Sequence, residues 1–174
     1  MLRKNIRKKV NHLVKKYETN NPFELCNYLG IDVAYDHLQD GLMGYRTVLY
    51  RISCIVLGID NSEQENFEVC CHELGHHICG HNTNTEYLKS DNRLFVSYGV
   101  EYEANIVLVE LLLHDVNLAE YPTRECLLRS CGIPAWAEHY VDWQYLEETA
   151  VFDSFNSYYQ FPYKCERTFL KGVL

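Results

Sequence analysis

A chain of 174 residues, 47% hydrophobic and 23% charged, is long enough for a cored domain and too apolar to be disordered. Its net charge of −8 excludes sequence-blind nucleic-acid binding by the surface as a whole. The charge is lopsided: residues 1–16 hold seven of the 16 Lys/Arg and no acid, leaving nine basic residues against 24 acidic ones elsewhere. "MLRKNIRKKVNHLVKK" lacks the apolar stretch of a secretory signal. The longest apolar-rich run, "IVLVELLL" (106–113), is too short to span a bilayer and contains Glu110. A cytoplasmic location without membrane contact is therefore expected. The eight cysteines, two of them adjacent at Cys70 and Cys71, follow no disulfide-framework spacing and read as buried free thiols.

In chain order, residues 5–18 have a helical pattern, with Ile6, Val10, Leu13, Val14 and Tyr17 on one side. "TNNP" (19–22) turns into a short helix over 22–29 that stops at Gly30. "IDVAYDHL", "GLMGYRTVLY" and "CIVLGID" then read as a small antiparallel sheet of three strands. Asn61 or Ser62 caps a helix that runs through residue 79 and stops at Gly80. A polar connection (81–99) leads to a helix over 100–114, and further helices are expected over 123–131 and 135–149. Phe152, Phe155 and Tyr159 in the aromatic tail would share a helical face. The expected fold is α+β, mainly helical, with a core over 1–120 and a helical, aromatic extension over 121–174 packed on the same domain.

"CCHELGHHICGH" (70–81) concentrates four histidines, three cysteines and a glutamate in twelve positions. On a helix, Phe67, Cys70, Cys71, Leu74 and Ile78 form the core face, and His72 and His76 lie one turn apart on the other side. This is H-E-x-x-H, in which two imidazoles reach one zinc ion and the glutamate, Glu73, angled away from it, serves as a general base.

A catalytic zinc site needs a third protein ligand and a position left for water. The next helix, "VEYEANIVLVELLLH", is apolar nearly all round, so an acid on it needs a partner. Glu101, Glu103 and Glu110 qualify; Glu101 lies at the fraying start, and spacing alone does not choose between Glu103 and Glu110. His114, about 16 Å along the axis from Glu103, reads as a helix-end histidine. His77 reads as structural. A closed site of His72, His76, Cys79 and a carboxylate would leave no place for water and no catalysis.

"FEVCCHELGHHICGH" followed by "EYEANIVLVELLL" resembles the ImmA/IrrE family of metallopeptidases, over roughly residues 8–115. Departures are "IVLV" after the E-A-N and His114 in place of a proline after the leucines. The resemblance implies a zincin-like core, Zn²⁺ as cofactor and the second glutamate of E-x-E-A-N, here Glu103, as third metal ligand. It also implies a regulatory role: cleavage of a helix-turn-helix repressor that derepresses phage or mobile-element genes, with Glu73 passing the proton from water to the leaving amine. Tyr98 or His81 could stabilise the oxyanion, and Asn105 would sit behind the ligands or pack the helix. The rival expectation is a regulator that captures the repressor without cutting it, on a zinc scaffold. Direct DNA binding by the basic N-terminal helix is the less favoured alternative.

Overall fold

The computed structural model describes residues 1–39, 41–81, 85–88 and 99–156. The fold is α+β and mainly helical, and the chain forms two compact units, Met1–His114 and Asp115–Leu174.

The first unit opens with α1 (Arg3–Tyr17), which buries Ile6, Val10 and Val14, one face of three turns. Each such side chain contributes about 1.5–3 kcal/mol when fully buried. Helix α2 (Pro22–Leu29) has Pro22 in its first turn, where no amide donor is needed. Asn21 Oδ1 accepts the Phe23 N–H at 2.9 Å, and Gly30 ends the helix at φ 68°.

Strands β1 (Asp32–Asp36), β2 (Leu42–Leu49), β3 (Ile52–Gly58) and β4 (Thr85–Leu88) form one sheet in the order β1-β3-β2-β4. The expected sheet was three-stranded and antiparallel; the sheet here is mixed, with β1 parallel to β3 in the register Val33↔Ile55. The cause is the β2–β3 hairpin, closed by Tyr50 and Arg51, both at positive φ. It fills one edge of β3, β4 takes the far edge of β2, and the remaining edge of β3 receives β1 in the direction set by its entry from α2.

Helix α3 (Glu63–Cys79) lies against the sheet, and α4 (Gly99–Leu112) packs on α3 and α1. A Cβ at Gly44 of β2 would lie 2.8 Å from the Val56 carbonyl and collide with Val69, so this glycine lets sheet and helix meet. Ala104, Ile106, Val107, Leu108, Val109 and Leu111 of α4 are all fully buried, as its continuous apolar texture predicts. Glu110 is held by α1: its carboxylate accepts from Arg3 Nε at 2.8 Å and from Arg7 Nε at 2.6 Å. Lys9 Nζ donates to the Ile78 carbonyl near the end of α3 at 2.8 Å. Three of the seven N-terminal cations are thus committed inside the fold.

In the second unit, Thr123 Oγ1 caps α5 (Arg124–Ser130) by accepting the Cys126 N–H at 3.1 Å. The expected helix over 135–149 is instead a 3-10 segment, Ala135–Tyr140, and then α6 (Trp143–Asn156). Val141 is extended, and Asp142 starts a new helix by accepting the Tyr145 N–H at 3.2 Å. Arg124 joins the two helices, donating to Glu147 at 2.5 Å and lying 4.5 Å over the Trp143 ring. The side chains of Phe152 and Phe155, and Tyr159 entirely, lie outside the described residues, as do Tyr98 and most of the 81–99 connection. No helix among the described residues is long and apolar enough to cross a membrane. The described cysteines are free thiols, with Cys26 and Cys70 Sγ atoms 3.9 Å apart in the core. Contact with Cys26 and burial push the Cys70 thiol well up.

Candidate metal centre

The ends of α3 are set by sequence. Ser62 Oγ accepts the Glu65 N–H at 3.2 Å while Glu65 Oε2 accepts the Ser62 N–H at 2.9 Å, a capping box. At the other end Gly80, at φ 78°, donates to the His77 carbonyl, and His81 N–H donates to the His76 carbonyl at 3.0 Å. This Schellman closure folds His81 back onto the helix that carries His76.

His72, Glu73 and His76 do lie away from the Cys70–Leu74–Ile78 side, but not in solvent. His72 is 3% exposed and Glu73 and His76 are fully buried, because α4 lies over them. Gly75, between the histidines, makes that approach possible. A Cβ there would sit 2.8 Å from the Ala104 carbonyl oxygen and 3.0 Å from its Cα.

Three ligand-type atoms converge under α4. His72 Nε2 and His76 Nε2 are 3.0 Å apart, and Glu101 Oε2 is 3.1 Å from the first and 3.5 Å from the second. Helix α4 offers two acids two residues apart, about 200° around its axis, so only one can face the imidazoles. The structure brings Glu101 to them rather than Glu103, which the resemblance had favoured. Glu101 is 45% exposed, as its place in the first turn suggested, yet its carboxylate points inward. Glu103 Oε2 instead meets His81 Nε2 at 3.1 Å, and its other oxygen pairs with the Met1 amino group. Cys79 stands apart from the histidine pair, its thiol 4.0 Å from the Glu103 carbonyl oxygen. Glu110, held by Arg3 and Arg7 of α1, is also removed from it. His77 is half-buried at the edge, and burial and Arg46 lower its pKa. His114 is half-buried just beyond α4.

Asn105 is the residue that sequence reasoning placed only vaguely. It lies one turn beyond Glu101, on the same face, and its Oδ1 is 2.8 Å from His72 Nδ1. The signal was present as E-x-x-x-N within "EYEAN". An amide oxygen accepts, so His72 Nδ1 carries the proton and a neutral His72 turns a lone pair toward His76 and Glu101.

Electrostatics agree with this packing. Burial raises the Glu101 carboxyl, but its contacts with the His72 and His76 rings outweigh burial and hold the group well below its usual range, the direction in which any positive charge at that point would move it. Burial and the neighbouring His76 bring the His81 ring down to about 4.

The donor set fits a metal. Bonds of about 2.0–2.1 Å to a tetrahedral zinc give ligand–ligand edges of about 3.3–3.4 Å. The observed edges of 3.0, 3.1 and 3.5 Å bracket that value. Lone pairs of neutral imidazoles turned on one another and on a carboxylate repel unless a cation lies between them.

The sequence model of the IrrE N-terminal-like domain, a peptidase family, matches residues 26–140. The chain belongs to the ImmA/IrrE family. It is also 36% identical over 141 residues to a Bacillus phage phi105 protein named "Uncharacterized immunity region protein 2", covering 79% of this chain and 89% of that one. No solved structure matches significantly. The ImmA/IrrE match takes in the whole sheet, α3 and α4, and so both walls of the cluster, and it leaves out α1 with its clamp on Glu110.

Proposed function

We propose that the protein is a zinc-dependent endopeptidase that cleaves a helix-turn-helix repressor and so relieves repression of phage or mobile-element genes. The observation that carries the reading is the convergence of His72 Nε2, His76 Nε2 and Glu101 Oε2 at tetrahedral edge lengths. These three residues would hold the ion. Bound zinc would supply Lewis-acid polarisation of the scissile carbonyl and a lowered pKa for water. Glu73, one residue beyond His72 and fully buried, takes a proton from the attacking water and returns it to the leaving amine. Asn105 holds the His72 ring in the tautomer that leaves Nε2 free to bind. Burial of all but Glu101 keeps bulk water from competing for these groups.

The repressor as substrate is supported by membership of the ImmA/IrrE family and by the immunity-region name of the phage relative. The test is incubation of the metal-loaded protein with a helix-turn-helix repressor from the same genome, with fragments read on a gel. Fragments that vanish with Glu73→Gln support the reading. A stoichiometric complex without fragments, indifferent to Glu73→Gln, would replace it with capture of the repressor.

A further inference from the structure

Two side chains outside that ligand set touch it in series. His76 Nδ1 is 2.9 Å from His81 Nδ1, and His81 Nε2 is 3.1 Å from Glu103 Oε2. We infer that His81 and Glu103 form a relay that fixes the tautomer of His76 and thereby aims its Nε2 lone pair at the metal. The inference rests on the metal site proposed above.

The relay follows from proton counting. A carboxylate only accepts, so the His81–Glu103 contact requires the proton on His81 Nε2. A neutral His81 then has a bare Nδ1, which can only accept, so the proton in the 2.9 Å contact belongs to His76 Nδ1. That leaves His76 Nε2 with a lone pair, facing His72 Nε2 at 3.0 Å and Glu101 Oε2 at 3.5 Å. The opposite assignment would turn a bare nitrogen of His81 on the Glu103 carboxylate. Both imidazoles of the cluster are therefore held by an acceptor at Nδ1, His72 by an amide and His76 by a second imidazole backed by a carboxylate.

The scaffold around His81 is built for this placement. The αL turn at Gly80 folds the chain back, the His81 N–H closes on the His76 carbonyl at 3.0 Å, and Arg46 Nη2 donates to the His81 carbonyl at 2.5 Å. Arg46 is itself 4% exposed, fixed in β2 of the sheet. His81 is thus anchored to β2 and α3, and Glu103 reaches it from α4. Its two ring nitrogens are both used, so the nearby group of Cys79, His81 and Glu103 serves the first site and is no second metal site.

The test uses the full chain, Co²⁺ as probe and a matched set of variants. Outer hydrogen-bond partners of metal-binding histidines are worth about 10–100-fold in affinity. His81→Leu should weaken Co²⁺ binding by about that factor, read from its d–d absorption, while the unfolding transition of the metal-free protein stays in place. His81→Asn puts an amide oxygen where Nδ1 was, as Asn105 does for His72, and should restore affinity. Glu103→Leu should weaken binding with His81 present and have no effect in the His81→Asn background. Nitrogen-15 shifts of the metal-free protein should show His76 protonated at Nδ1 in the parent and in His81→Asn, and a tautomer mixture in His81→Leu. Unchanged affinity and an unchanged His76 tautomer in His81→Leu would overturn the relay, as would two bound Co²⁺ with a thiolate charge-transfer band. A parent that binds no metal would sink the metallopeptidase reading, and the nitrogen shifts would still decide the relay.

Discussion

Glu73 is not among the atoms that converge on the candidate metal position, so the proposed reading separates chemistry from assembly at a single side chain. Glu73→Gln keeps the shape and an acceptor oxygen but cannot take a proton. It should retain metal at one equivalent and lose repressor cleavage by about 10²–10⁴-fold, the usual weight of a general base; loss of metal together with activity would give Glu73 a binding role instead. Glu101 and Glu103 separate in the same way. Glu101→Ala should remove a ligand and nearly abolish metal uptake by elemental analysis. Glu103→Ala should leave uptake intact at saturating metal and weaken affinity only through His81. The reverse order of effects would restore Glu103 as the ligand. The H-E-x-x-H pair was legible because its spacing alone puts two imidazoles on one helix face. The acid that joins the two histidines was not, because α4 is apolar all round and its sequence gives no sign of which face meets α3. The one available clue was relational: Asn105 and Glu101 stand four apart and share His72.

At the level of elements, the site depends on how closely two helices approach. Gly75→Ala would drive a methyl to within 2.8 Å of the Ala104 carbonyl, so α4 must retreat and carry Glu101 with it. The expected outcome is a lower melting temperature, by an amount typical of overpacking at about 1–3 kcal/mol, together with weaker Co²⁺ binding. Weaker binding at unchanged stability would show that the glycine serves something other than the approach. The ends of α3 were readable because Ser62, Glu65 and Gly80 act locally. The hairpin turn was hidden, since Tyr50 and Arg51 replace the Asn-Gly type of sequence that such a turn favours. With φ at 50° and 71°, both pay the left-handed penalty, and Tyr50 is 97% exposed. Tyr50→Asn with Arg51→Gly should therefore raise stability in urea by about 1 kcal/mol or more. No gain would mean that these side chains recover the strain by contacts of their own. The parallel β1–β3 pairing was hidden for a different reason: strand texture reports which face is buried and not which neighbour lies alongside.

For the molecule, an ion at the proposed site would add a tie between α3 and the first turn of α4, two helices that already pack closely against each other. His72 and His76 come from α3 and Glu101 from the first turn of α4, so an ion bound to all three is absent from the unfolded chain and stabilises the folded one by mass action. At a hundredfold excess of free metal over its dissociation constant the gain is about 2.7 kcal/mol. For a chain of this size that corresponds to about 5–10 °C in melting temperature. Chelation should lower the transition by that amount and zinc should restore it, as followed by calorimetry. The dependence should disappear in Glu101→Ala, shrink in His81→Leu and persist in Glu73→Gln, an order that follows from ligand, orienting partner and base respectively. A shift that survives Glu101→Ala would mean that zinc stabilises the fold from some other site. Identical shifts in all three variants would remove the distinction between holding the ion and using it.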